Sequence, residues 1–242
     1  MSQSKGNLYL IPVTLGSTEP LEVMPASVKR VIDLVDFYIV ENEKTARRSI
    51  KSISADKSQP SLHFSIIDKY TESHEVPSFL NPCMEGKNMG LMSEAGVPGV
   101  ADPGAEVVAI AHTKEIKVIP LVGPSSILMA MMSSGLNGQN FAFNGYLPID
   151  SKDRKRRVLE LEQRSKQEQQ AQLFIETPYR NNKMLEVLTT TLNPSTLLCV
   201  ACDITLPTEF IKTQTVAQWK SNKEDFHKRP ALFLIQQKDL DF

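Results

Sequence analysis

Met89-Gly90-Leu91-Met92-Ser93-Glu94-Ala95-Gly96-Val97-Pro98-Gly99-Val100-Ala101-Asp102-Pro103-Gly104-Ala105-Glu106-Val107-Val108-Ala109-Ile110-Ala111 holds the plan of this chain in miniature. The apolar run 89–93 reads as a buried strand, and 105–111 has the composition of a helix. Between them lies a loop rich in Gly, Ala and Pro. Gly96, Gly99 and Gly104 lack a Cβ, so positive φ or close approach of a ligand costs little there. Pro98 and Pro103 restrict the chain between those glycines. Strand, ligand-type loop and helix in that order predict an alternating α/β fold, in which ligands sit at the C-terminal ends of strands.

The same alternation extends in both directions. Strands are expected over 7–13, 36–40, 61–67 and 116–121, with helices over 26–35 and 43–53. Val28, Val31, Ile32 and Val35 supply the helical spacing of the first helix. The Pro-interrupted stretch 71–82 reads as an irregular loop. This part suits a largely parallel sheet covered by helices. A second set follows, with helix 127–133 capped by Ser125 and ended by Gly135, strand 141–143, helix 151–169, strand 172–175 and helix 179–190. Strands 196–202, 209–215 and 231–236 then follow with one short helix among them, which predicts a partly antiparallel sheet. The expectation is two α/β domains, 1–121 and 122–242, the second with a mixed sheet.

Bulk properties narrow the function classes. A net charge of −1 provides no global attraction for nucleic acid, so any RNA contact requires a local patch. The polar opening at 1–7 shows no signal-peptide pattern, and no apolar run approaches membrane-spanning length. A cytoplasmic protein with no membrane association is expected. Cys199 and Cys202 form a C-x-x-C within a strand, where positions three apart face opposite sides. No second pair completes a zinc site, so these read as core cysteines. The chain has no phosphate-cradling G-x-x-x-x-G-K-[ST] and no G-x-G-x-x-G after its first strand. His63, His74, His112 and His227 are scattered, without metal spacing.

Four further strand ends carry unusual loops: Val13-Thr14-Leu15-Gly16-Ser17, Leu121-Val122-Gly123-Pro124-Ser125-Ser126, Asn144-Gly145-Tyr146-Leu147-Pro148 and Glu176-Thr177-Pro178-Tyr179-Arg180. Each alone is an ordinary turn. With 93–104 they argue for one composite site. The ordered series SEAGVPGVADPG, LVGPSS, FNGYLP and ETPYR resembles the tetrapyrrole methylase superfamily of S-adenosylmethionine-dependent methyltransferases. It is most similar there to the branch that methylates a cytidine ribose 2′-hydroxyl of small-subunit ribosomal RNA. That branch reads S-D-A-G-T-P-x-I-S-D-P-G, L-P-G-P-S-A, F-x-G-F-L-P and E-S-P-H-R at the corresponding places. The resemblance runs from about residue 6 to 235.

The resemblance implies a homodimeric two-domain enzyme that holds S-adenosyl-L-methionine in a cleft between its domains. Carried over motif by motif, Ser93, Glu94, Ala95 and Gly96 would line the cofactor, together with Val100, Ala101, Asp102 and Pro103. Ser125 and Ser126 would approach it from the linker, and Tyr146 and Leu147 from the second domain. A neutral, tight loop suits this ligand: it binds through backbone groups and adds little charge near the cationic sulfonium. The cofactor carries the activated methyl, so the protein mainly positions it. No catalytic base and no metal site is assigned.

The acceptor side departs from the branch pattern. P-T-P-I-G-N-L-x-D appears as Pro12-Val13-Thr14-Leu15-Gly16-Ser17-Thr18-Glu19-Pro20, which puts Pro20 where the family has an acid. A-E-D-T-R appears as Val40-Glu41-Asn42-Glu43-Lys44, keeping the Glu and losing the Asp. A-R-E-L-T-K becomes Ala201-Cys202-Asp203-Ile204-Thr205-Leu206, without the lysine. The sequence ends at Phe242, short of the C-terminal extension common in the RNA enzymes. The basic run Lys152, Arg154, Lys155, Arg156 and Arg157 crowds a helix start, where cations are disfavoured by ~0.3–1 kcal/mol each. It is either a grip on a polyanion or a solvated face balanced by Asp150, Asp153, Glu160 and Glu162. Arg154, Glu176 and Arg180 are the candidate acceptor residues, with Arg180 gripping substrate phosphate. Three readings stand: a methyltransferase of ribosomal RNA or the small ribosomal subunit, a methyltransferase of a tetrapyrrole or other small acceptor, and a cofactor-binding protein without activity.

Overall fold

The division between Ser125 and Ser126 separates two units, and the computed structural model describes residues 4–237 of the chain. Positions 1–3 and 238–242 of the two expected domains lie outside the described residues. So do the first three residues of the polar opening and the terminal Phe242.

In the first unit, short apolar runs form strands because turn residues bound each one. The order is β1 (Asn7–Leu10), α1 (Pro20–Val23), α2 (Ala26–Leu34), β2 (Phe37–Val40), α3 (Glu43–Ile53), β3 (His63–Ile66), α4 (Val76–Phe79), α5 (Asn81–Met84), β4 (Met89–Met92), α6 (Gly104–Thr113) and β5 (Lys117–Pro120). The strands pair in the order β3-β2-β4-β1-β5, every neighbour parallel. Alternate residues of each strand feed opposite faces. Ile11, Tyr38 and Val40 pack against Val28 and Ile32 of α2 and Ile50 and Ile53 of α3. Leu8, Ile39 and Leu91 pack on the other side against Val76, Leu80, Cys83, Val107 and Ala111. Fully burying each such aliphatic side chain contributes about 1.5–3 kcal/mol.

One expectation is corrected here. Residues 71–82 are not all irregular, since α4 and the start of α5 fall within them. Each has its proline in the first turn, where the missing N–H has no helical partner to lose.

The second unit runs α7 (Ser126–Ser134), β6 (Phe141–Tyr146), α8 (Ser151–Glu168), β7 (Ala171–Ile175), a 3-10 turn (Pro178–Arg180), α9 (Asn181–Thr191), β8 (Leu197–Cys202), β9 (Phe210–Thr215), α10 (Val216–Trp219) and β10 (Ala231–Gln236). Its sheet order is β6-β7-β10-β8-β9, with β6–β7 parallel and the other pairs antiparallel. Leu198, Val200 and Cys202 share one face with Phe174, Phe233, Trp219 and Phe226. Cys199 is buried without belonging to that cluster, as the strand period requires. The Trp219 indole N–H donates to the Leu198 carbonyl at 2.7 Å. Gly135, at φ +70, ends α7 as expected.

The basic start of α8 is tolerated for local reasons. Asp150 accepts from the N–H groups of Lys152 and Asp153, both at 2.9 Å. These and further backbone N–H groups hold its carboxyl below the usual range. Arg156 pairs with Asp153 and Glu160, and Arg157 with Glu160 and Asn144.

Candidate functional site

The sheet order of the first unit creates a splayed pair of strand ends. The connection after β1 passes through α2 on one face, and that after β4 passes through α6 on the other. β1 and β4 are hydrogen-bonded neighbours. Their following loops therefore part at the C-terminal edge, the switch point where open α/β sheets bind ligands.

The 93–104 loop is built for close approach. Gly96 and Gly99 have φ of +74 and +83, and Ala101 joins them at +63. The Val13 N–H donates to the Gly96 carbonyl at 2.9 Å, tying this loop to the end of the β1 segment. Asp102 fixes its far side. Its carboxylate accepts the N–H of Gly99 at 2.9 Å and that of Gly104 at 2.7 Å. A Cβ on Gly104 would stand 2.8 Å from the same carboxylate oxygen and 3.1 Å from Leu91. Gly104 is thus required by the packing of its own loop, without positive φ.

Ser93 donates to the Ala95 carbonyl at 3.2 Å. Ala95, Ala101 and Val100 are exposed, so the loop presents backbone and small side chains outward. The Glu94 N–H donates to a Glu41 carboxylate oxygen at 3.1 Å, and the Glu94 side chain accepts from the Thr45 hydroxyl at 2.5 Å. Burial pushes the Glu41 carboxyl above the usual range. Asp102 and Glu94 push it the same way, while the Glu94 N–H opposes them.

Beside this loop is a cavity of about 500 Å³, lined by 13–20, Thr45, Arg48, Ser49, Ser52 and Glu94. Two of the segments that depart from the branch pattern, 12–20 and the start of α3, adjoin it. Asn42 caps α3 by accepting from the N–H groups of Lys44 and Thr45 at 2.9 and 3.2 Å. The α3 residues lining the cavity were missed in the sequence. Thr45, Arg48, Ser49 and Ser52 follow the i, i+3, i+4, i+7 spacing of one helix face, and that polar stripe was the available signal.

The second unit gathers the other candidates at the ends of β6 and β7. Tyr146 is exposed and Leu147 is buried. Arg154 and Glu176 are 6% and 5% exposed, with Arg154 Nη1 3.8 Å from Glu176 Oε2. That distance is an ion pair beyond hydrogen-bond reach. Glu176 Oε2 and Arg154 Nε have no hydrogen-bond partner in the structure. Glu176 Oε1 instead accepts from Arg180 Nη2 and from the Thr177 N–H, each at 2.6 Å. This hydrogen bonding, then the Glu176 and Tyr146 charges, raises the Arg180 pKa against desolvation. Asn144 Oδ1 accepts from Arg157 at 3.2 Å, and Asn144 Nδ2 donates to Gln172 at 3.0 Å. The structure thus brings Arg154, Glu176 and Arg180 together. Ser125 ends the first unit and Ser126 opens α7 of the second.

Solved structures similar to this chain share its fold. The methyltransferase CobJ aligns with a TM-score of 0.63 at 16% identity, covering 96% of this chain and 94% of its own. Cobalt precorrin-4 methyltransferase, a cobalamin biosynthetic enzyme, aligns at 0.60 and 13% identity over 95% and 94%. Identities this low establish the fold, which is that of the tetrapyrrole methyltransferases.

No family model matches the chain. The ribosomal RNA small subunit methyltransferase I of Synechocystis is 30% identical over 200 residues, covering 83% of this chain and 67% of that protein. The enzyme of the same name from Vibrio cholerae is 25% identical over 234 residues, covering 94% and 76%. The chain belongs to the ribosomal RNA small subunit methyltransferase I family, and it is a methyltransferase.

Proposed function

We propose that the protein transfers a methyl group from S-adenosyl-L-methionine to a ribose 2′-oxygen of small-subunit ribosomal RNA, as a cytoplasmic homodimer. The observation that carries the reading is the splayed β1/β4 switch point. Its 93–104 loop is pinned by Asp102 and exposes the small residues Ala95, Val100 and Ala101. Residues Ser93–Gly96 and Val100–Pro103 hold the cofactor, with Ser125 and Ser126 from the linker and Tyr146 and Leu147 from the second domain. The two domains are 1–121 and 122–242.

The residues present fit this cofactor. The Asp102 carboxylate is taken up by backbone N–H groups of its own loop, so the loop surface stays nearly neutral beside a cationic sulfonium. Glu94, exposed on the same loop, and Glu41 beside it add acidic character that complements that cation. The cofactor supplies an activated methyl, and the protein's task is alignment of an in-line displacement. Hydroxyl and guanidinium groups around the 500 Å³ cavity orient the acceptor. In the second unit Arg180, its side chain 35% exposed, contacts acceptor phosphate, while buried Glu176 and Arg154 hold it in place.

The test is mass mapping of ribosomal RNA from cells with and without the protein. A ribose methyl group present only with the protein supports the proposal. Methyl transfer to a small-molecule fraction, with RNA unchanged, would favour the small-acceptor reading.

A further inference from the structure

The turn after β7 presents an aromatic ring that the methyl-transfer geometry above does not use. Tyr179 is 69% exposed, and its neighbours in the chain are Pro178 and Arg180. A second loop, just before β10, is tied to it: the Lys228 N–H donates to the Pro178 carbonyl at 2.9 Å. Lys228 sits in the left-handed region at φ +61, which a lysine seldom adopts and which the surrounding structure must hold. That backbone carries its ammonium over the Tyr179 ring, 5.7 Å from the centroid. His227 meets the same ring edge-on, with centroids 5.8 Å apart and planes at 79°. The one acid in the turn, Glu176, is buried and already engaged with Arg180 and Arg154.

We infer that Tyr179, framed by His227 and Lys228, is a stacking platform for an unpaired base of an RNA strand, with Lys228 taking a flanking phosphate. The inference rests on the RNA-acceptor reading and extends it to a second contact. Two chemistries coincide here as in single-strand binders: a solvent-facing π surface that accepts any base, and cations set to follow a phosphodiester backbone. A phosphate site alone would need no ring, and the lysine held beside this one matches a polyanion that carries bases. The Lys228 N–H bond to the Pro178 carbonyl fixes the loop that sets this lysine at the ring.

The experiment is fluorescence anisotropy with a short labelled oligocytidylate as unpaired RNA, on the full chain at several salt concentrations. Tyr179→Ala is expected to weaken binding about tenfold, and Tyr179→Phe to bind like the unaltered protein, because stacking needs the ring and not the hydroxyl. Lys228→Gly suits the left-handed backbone and removes the charge, so it should fold normally and lower the salt slope by about 0.7. Equal affinity for Tyr179→Ala and the unaltered protein overturns the platform while leaving the RNA reading in place. If the unaltered protein fails to bind the oligonucleotide at all, the platform falls with it. S-adenosylmethionine calorimetry on the same variants, expected unchanged, separates either result from misfolding.

Discussion

Asp102 accepts the Gly104 N–H at 2.7 Å, and a Cβ on Gly104 would lie 2.8 Å from that same oxygen. The carboxylate and the bare glycine define each other's position, and with the Gly99 N–H they close the 93–104 loop. Gly104→Ala should therefore destabilise the protein, although alanine is the better helix former by about 1 kcal/mol at an ordinary helical position. A thermal melt checks the sign, and a stabilised variant would mean the loop is not held as described.

Asp102→Ala removes hydrogen bonds that a carboxylate makes to two backbone N–H groups. Hydrogen bonds to charged groups contribute about 1.5–3 kcal/mol each, and an opened loop loses its ligand geometry. S-adenosylmethionine affinity should fall by about tenfold or more, equivalent to ~1.4 kcal/mol. Calorimetry reads this directly, and unchanged affinity would separate the Asp102 staple from the cofactor site.

Much of this organisation is legible in the sequence. Strand positions followed from apolar runs bounded by turn residues, as at Met89–Met92, and α2 from the helical spacing of Val28, Val31 and Ile32. The mixed sheet of the second unit followed from successive strands with little helix between them. The two helical turns around Pro77 and Pro82 did not, because proline marks a break in sequence yet is welcome in a first turn. Among the site features, Asp102 could be named from the motif, but its role as a staple depends on which N–H groups a short side chain reaches. The Thr45, Arg48, Ser49 and Ser52 stripe looks like any solvated helix face until the 13–20 loop is seen opposite it.

Burial and the neighbouring Asp102 and Glu94 carboxylates raise the Glu41 pKa. A carboxyl whose folded-state pKa is raised favours folding when protonated, and that advantage is lost as pH rises through the raised value. Glu41→Gln should thus melt higher than the unaltered protein near neutral pH. The difference should shrink below the ordinary value of 4.5. Melting curves at about pH 4 and about pH 8 bracket that window, and a pH-independent difference would contradict the assignment.

Glu176 is buried between Arg154 and Arg180. Glu176→Leu leaves the Arg154 guanidinium buried without its ion-pair partner and should cost about 3–5 kcal/mol. Combining it with Arg154→Met should restore most of that loss. Urea unfolding of both variants decides, and simple additivity of the two costs would show that the pair is not coupled.

Ala95 is exposed at the rim of the loop, so Ala95→Trp should fold normally while filling the space proposed for the cofactor. Unchanged S-adenosylmethionine binding with an unchanged melting temperature would move the cofactor elsewhere.

The central claim is best tested by methyl transfer itself. The protein is incubated with methyl-labelled S-adenosylmethionine and small ribosomal subunits from cells that lack it, and the RNA is digested to nucleosides. The account predicts label in a 2′-O-methylated nucleoside with the unaltered protein, and none with Ala95→Trp. Cofactor binding without label in any RNA nucleoside would contradict it.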